Sequence, residues 1–247
     1  MPRSVSRVRG RRKSRARARP VWRGLSAIVG LLVASTVVPI AALRVVPPPT
    51  TAFMLASQAR DPATGEPCTR VDYRWRPRAE IHRNLPRAVV VAEDQRFLEH
   101  AGFDTRAIGA ALDEYVAGGG MRGASTITQQ VAKNLFLWPG RSLLRKGLEA
   151  WLTIFLELLW PKQRILEVYV NVAQFGPCLF GAEAAGLRYF GVHASGLSER
   201  QAALLAAVLP APGRMRPGDP GPFTRQRAQE IVAELRRVGD GSYLAGL

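Results

Sequence analysis

Apolar positions along this chain are grouped in two ways. Gly24 to Leu43 form an uninterrupted run of 20 residues without a charge, rich in Leu, Val, Ile and Ala. Wound as a helix, such a run reaches about 30 Å, the thickness of a bilayer's hydrocarbon. From Leu85 onward apolar residues recur at helical spacing, broken by Gly and Pro, and no strand-like alternation is long enough to build a sheet. The pattern predicts helices over 86–93, 105–116, 126–136, 143–159, 162–171, 181–190, 198–209 and 225–238. Asp104 is the expected N-cap of the second, and Thr126 with Gln129 and Ser198 with Gln201 have capping-box spacing. Gly118, Gly119 and Gly120 predict a mobile tip between the second and third helices. The working domain is therefore expected to be mainly α.

Charge decides how the first run is read. Lys and Arg outnumber Asp and Glu by 35 to 19, yet ten of the cations fall in the first 23 residues, which hold no acid, leaving +6 of the +16 for the rest. A basic arm of this kind could bind nucleic acid, but followed at once by a bilayer-length apolar helix it reads as the cytoplasmic flank of a membrane anchor. A cleaved leader is the competing reading; the length of the run and the Pro-rich 46–49 segment favour the anchor. The chain after Leu43 is then extracytoplasmic. Cys68 and Cys178 would meet an oxidising compartment there, but two cysteines 110 positions apart do not establish a disulfide. The expected organisation is a basic cytoplasmic tail over 1–23, a transmembrane helix over 24–43, a linker and irregular approach over 44–84 and one catalytic domain over 85–247.

Four polar constellations stand out from the apolar background. Glu93 and Asp94 end an apolar helix, and burying that end would raise a carboxyl pKa toward the range where it accepts a proton. The plain alternative is an acidic helix end in water. Gly123 to Gln130, followed by Lys133 and Asn134, is dense in hydroxyls and amides, and Gln130, Lys133 and Asn134 share a helical face that could grip sugar hydroxyls and a phosphate. Ser and Thr there could equally serve as caps. Arg141, Arg145, Lys146 and Glu149 put three cations beside one acid. Arg145 and Glu149 have the spacing of a surface ion pair, but in the less favourable order for helix support, which favours phosphate handling. In 162–171, Ile165, Leu166 and Tyr169 are in core register, with Glu167 and Asn171 assigned to support.

Taken in order, EDQRFLEHAGFD, GASTITQQVAKN, RKGLE and KQRILEVYVN, with GAEAA and ALLAAVLPAP, resemble the peptidoglycan glycosyltransferases of family 51, and most of all their monofunctional biosynthetic transglycosylases. The likeness covers residues 47 to 238. It implies a lysozyme-like helical domain with a small jaw lobe that dips into the membrane, reached through the 44–84 segment, and lipid II as substrate. It also implies roles: Glu93 as the general base on the acceptor's 4-hydroxyl, Lys133 and Arg141 as holders of the donor pyrophosphate, and Glu149 as the second catalytic glutamate. Asp94, Ser125, Gln129, Gln130 and Lys146 match residues that shape or line the cleft. No cofactor is certain; where a divalent cation, Mg or Mn, takes part, Glu149 is its expected ligand. Leu148 departs from relatives that carry a cation there, implying one charge fewer on the phosphates.

The product expected is a β-1,4 glycan, formed with inversion by transfer of the growing lipid-linked strand to lipid II. The partners implied are lipid II, the growing strand and membrane lipid, with cross-linking transpeptidases and divisome proteins downstream, and no nucleic acid. With no Ser-x-x-Lys motif and no chain beyond 247 to hold a transpeptidase domain, polymerisation without cross-linking is expected. The nearest rival, a lytic transglycosylase or muramidase, has no use for pyrophosphate cations. A non-catalytic anchored scaffold leaves the acid and amide motifs unexplained.

Overall fold

The computed structural model describes residues 15–119, 125–140 and 142–239. Arg141, Gly120 of the glycine tip, and the tail through Ser14 lie outside the described residues. Ten α-helices and a three-stranded sheet make up the described fold: α1 (Arg15–Leu43), α2 (Ala52–Ala59), β1 (Asp72–Tyr73), α3 (Asn84–Glu93), α4 (Thr105–Val116), α5 (Ile127–Phe136), α6 (Leu143–Leu159), α7 (Lys162–Val172), β2 (Gln174–Gly176), β3 (Leu179–Phe180), α8 (Ala182–Phe190), α9 (Glu199–Val208) and α10 (Pro222–Val238).

The core is centred on α3, whose Leu85, Ala88, Val89 and Val90 are fully buried against α9, α10 and α7. The middle of α9 is a run of Ala and Leu with no exposed residue, so neighbouring helices approach it closely on every side. On the other side of α7, Ile127 and Val131 bind α5 to α7 and α6. Both expected capping boxes are present, Thr126 with Gln129 and Ser198 with Gln201, and the Asp104 side chain accepts from the amides of Arg106 and Ala107. The last helix starts at Pro222, earlier than expected, because proline's fixed φ and missing N–H suit a first turn.

The expectation of no sheet needs correction. The strands form the order β1-β3-β2, with β1 parallel and β2 antiparallel to β3. At two or three residues each they are too short to show any periodicity. Nor is the 44–84 segment free of structure: α2 folds onto α5, with Met54 and Ser57 buried. Cys68 and Cys178 are joined in a disulfide. Beside it Asp61, fully buried, accepts from the Cys178 and Ala63 amides and from the Gln174 side chain.

Within α1, Ser26–Leu43 is long and apolar enough to cross a membrane. Its C-terminal end is fastened to the domain. Trp151 Nε1 donates to Thr36 Oγ1 at 3.2 Å and Trp160 Nε1 to the Ile40 carbonyl at 2.7 Å. Arg164 donates to the Leu43 carbonyl through Nε and NH2 and to the Val46 carbonyl through NH2, satisfying acceptors that a helix end leaves open. Trp75 and Trp160 lie against the guanidinium, ring centres 5.0 and 5.8 Å away.

Candidate active site

Glu93 is the last residue of α3, because Asp94 leaves the helical conformation with φ −162° and ψ 73°. A carboxylate there faces the negative end of the helix dipole as well as an apolar core. Its side chain is 13% exposed, so the reading of a solvated acidic helix end does not hold. Oε2 accepts from Gln130 Nε2 at 2.9 Å, and Gln130 Oε1 in turn accepts from the Tyr169 hydroxyl at 3.0 Å, so the amide is fixed in one orientation. Burial pushes the Glu93 pKa up; the Gln130 bond, Arg227 and Lys133 oppose the rise and Asp94 adds to it. The net result is a carboxyl that holds a proton more readily than a free glutamate.

Asp94 turns the other way. Its Oδ1 lies 2.8 Å from His100 Nε2 and its Oδ2 accepts from the Ile127 amide at 3.0 Å. A carboxylate at the N-terminus of α5 is favoured by the exposed amides and the helix dipole. The Thr126 hydroxyl adds a bond to the Gly102 carbonyl at 2.7 Å. Gln129 uses its Oε1 on the Thr126 amide. Asp94, Thr126 and Gln129 together set the position of α5, and through it that of Gln130 and Lys133, one turn apart on the same face.

That face lines a cleft of about 640 Å³, whose walls include Ser125, Gln129, Gln130, Lys133 and Asn134 from the start and body of α5, Arg145, Lys146 and Glu149 from α6, and Gln174 from β2. Phe53 of α2 and the Pro210 to Arg214 segment also line it. Glu93 is joined to this cleft through Gln130. Lys133 Nζ lies 5.3 Å from the Phe53 ring centre, and desolvation pulls its pKa down against the attraction of Glu149 and Glu93. An ammonium held this way gains most when an anion arrives, since its own desolvation has already occurred.

Glu149 is 3% exposed. Arg145 NH1 donates to its Oε2 at 2.7 Å, Lys146 Nζ donates to its Oε1, and Lys146 also reaches Ser125 Oγ at 3.3 Å. The Arg145–Glu149 pair is thus buried in the cleft wall rather than on the surface. Arg145 Nε is buried with no hydrogen-bond partner among the described residues. Two cations on one carboxylate give the α6 wall a net positive charge. The same arrangement does not fit a divalent cation at Glu149, because each of its oxygens is already taken by a positive side chain. Asp61, Cys68 and Cys178 also cluster, but the disulfide removes both thiols as ligands. Leu148 is 37% exposed and is not among the residues that line the cleft.

Sequence reasoning missed Tyr169, taken as core, although a buried phenol commonly finds a polar partner. It put Arg145 in the phosphate-handling cluster without a site role of its own, and it missed Arg227, which approaches Glu93 from α10 and leaves no local signal. Glu167 and Asn171 do the supporting work expected of them. Glu167 accepts from the Arg78 amide, and Asn171 both accepts from the Arg76 amide and donates to its carbonyl.

The transglycosylase family model matches residues 62–236. A biosynthetic peptidoglycan transglycosylase of Stutzerimonas stutzeri is 50% identical over 220 residues, 89% of this chain and 90% of its own. The proteins of that name from Pseudomonas aeruginosa and Xanthomonas campestris pv. campestris are 48% and 47% identical, over 93% and 92% of this chain and 98% and 93% of theirs. A family match over residues 62–236, with relatives 47–50% identical aligned over nearly their full length, establishes that the chain belongs to the transglycosylase family.

Proposed function

We propose that this chain is a peptidoglycan glycosyltransferase that lengthens glycan strands by transferring the growing lipid-pyrophosphate-linked strand to the 4-hydroxyl of lipid II. The observation that carries the reading is one desolvated carboxylate, Glu93, oriented by Gln130 beside a cleft lined by Lys133, Arg145 and Lys146. Glu93 takes the acceptor's hydroxyl proton as that oxygen attacks the donor's anomeric carbon from the face opposite the pyrophosphate. The bond to the pyrophosphate breaks, and an α-linked donor gives a β-1,4 product. The leaving group departs as an anion, so its charge needs cations rather than a protonated acid. Lys133, Arg145 and Lys146 supply them together with Arg141, whose role rests on the family resemblance. Glu149 holds Arg145 and Lys146 in place. A hydrolase of similar strands has no pyrophosphate to neutralise and no use for the cations that line this cleft, Lys133, Arg145 and Lys146.

The site is proposed to face the extracytoplasmic side, with α1 crossing the membrane and the basic tail in the cytoplasm. The Cys68–Cys178 disulfide supports an oxidising compartment. Ile108, Leu112, Tyr115 and Val116 form an exposed apolar stripe on α4, and Leu143, Leu144 and Leu158 are exposed on α6, which packs against α1. Both suit the jaw lobe that enters the membrane. Cross-linking transpeptidases and divisome proteins are the partner classes proposed for the product.

Purified protein with lipid II in detergent is expected to make polymer. Glu93→Gln should lower turnover by at least about a thousandfold with an unchanged melting temperature, and Lys133→Ala should lower donor use about a hundredfold. Wild-type polymer yield from Glu93→Gln would rule out the base assignment.

A further inference from the structure

Arg227 lies on α10 beside Ala228, at the edge of the stripe of Ala228, Ile231 and Leu235 that packs α10 against α3 and α9. Its NH2 donates to the Ala92 carbonyl at 3.3 Å and stands 4.0 Å from Glu93 Oε1. Its Nε is buried with no hydrogen-bond partner among the described residues. Holding a long side chain in one rotamer and stripping water from an unpartnered N–H both disfavour this placement. The packing of α10 does not require it, because Ala228, Ile231 and Leu235 supply that contact.

The two Glu93 oxygens are treated differently. Gln130 bonds Oε2, whereas the guanidinium faces Oε1 from beyond hydrogen-bond distance. At 4.0 Å a cation stabilises the carboxylate through space without occupying the lone pair that must take a proton. We propose that Arg227 is a positioning residue for Glu93, a counter-charge fixed on α10 that keeps the carboxylate ionised and its Oε1 open to the acceptor hydroxyl. This rests on the reading of Glu93 as the base.

Other groups act on the same carboxyl. Lys133 from α5 also favours the ionised form, but its charge is shared with Glu149. Asp94 opposes it, and Tyr169 of α7 acts through Gln130. From α9, Glu199 and Arg200 lie in the first turn, at the far end of α3: Asn84 at the start of α3 bonds the Leu197 carbonyl just before α9. Arg227 is therefore the cation whose removal should fall most directly on Glu93.

The test is the pH dependence of polymerisation by the full chain in detergent with lipid II, comparing wild type, R227Q, R227K and E93Q. Removing the cation weakens the ionised form, so R227Q should move the acid limb of turnover to higher pH. Turnover should fall about tenfold at the acid edge and less than about threefold on the alkaline plateau, with KM within about twofold. R227K should keep the wild-type limb. An acid limb in R227Q that superimposes on wild type, or one in R227K displaced as far as in R227Q, overturns the proposal. R227M provides a second neutral variant with the same two outcomes if R227Q fails to fold. Polymerisation by E93Q at the wild-type rate would instead sink the base assignment itself, whatever Arg227 does.

Discussion

At Glu183, burial and hydrogen bonding compete over a single carboxyl. The side chain is 1% exposed, and burial alone would raise its pKa; the Ala194 amide, His193 and Arg76 together outweigh that and hold it at about 2. Because the folded value lies below the unfolded one, of about 4.3, the stabilisation is complete above the unfolded range. It is lost as pH falls toward the folded value. Glu183→Gln should cost about 2 kcal/mol at neutral pH and flatten the acid side of the stability curve, as read by urea unfolding from pH 7 to 2. A variant curve parallel to wild type would show that the charge is not what matters. Residues with local context were legible: Glu93 was placed by the apolar helix it ends. Arg76, which meets Glu183 across 107 positions, and Arg227 were not, because nothing near them in sequence says what they face.

At the scale of elements, α5 carries the amide and the ammonium of the cleft, and its start is set by Thr126. Replacing Thr126 with Ala removes the N-cap and the bond to the Gly102 carbonyl, and should cost about 1–2 kcal/mol. Gln130 and Lys133 ride on that start, so turnover should fall further than stability alone explains, and Thr126→Ser should restore both. Single-turnover polymerisation beside thermal melts would separate the two effects. Helices with strong caps were legible almost to the residue, as α4 and α6 show. The short α2 and the strands were not. An eight-residue helix after a Pro-rich stretch, and strands of two or three residues, are fixed by tertiary contacts and a long-range disulfide rather than by any periodicity.

Across the whole molecule, the Cys68–Cys178 bond joins the segment after α2 to the β2–β3 turn, 110 positions away. Closing so long a loop limits the unfolded chain, and losing the bond should cost about 4 kcal/mol. Thermal unfolding with and without a reductant, beside the Cys68→Ala/Cys178→Ala double variant, measures this. An unchanged melting temperature would show that Asp61 and the surrounding packing suffice. The sequence supplied both cysteines but not their pairing, since spacing carries no information on which loops meet.

The join between α1 and the domain has a consequence for reach. With its last carbonyls held by Arg164 and its side bonded by Trp151 and Trp160, the anchor behaves as a mast rather than a tether. In the proposed topology the cleft rides at a set height above the lipid surface. Each residue added to or removed from the mast would shift that height by about 1.5 Å, against a substrate whose own reacting carbon is held by its lipid at one depth.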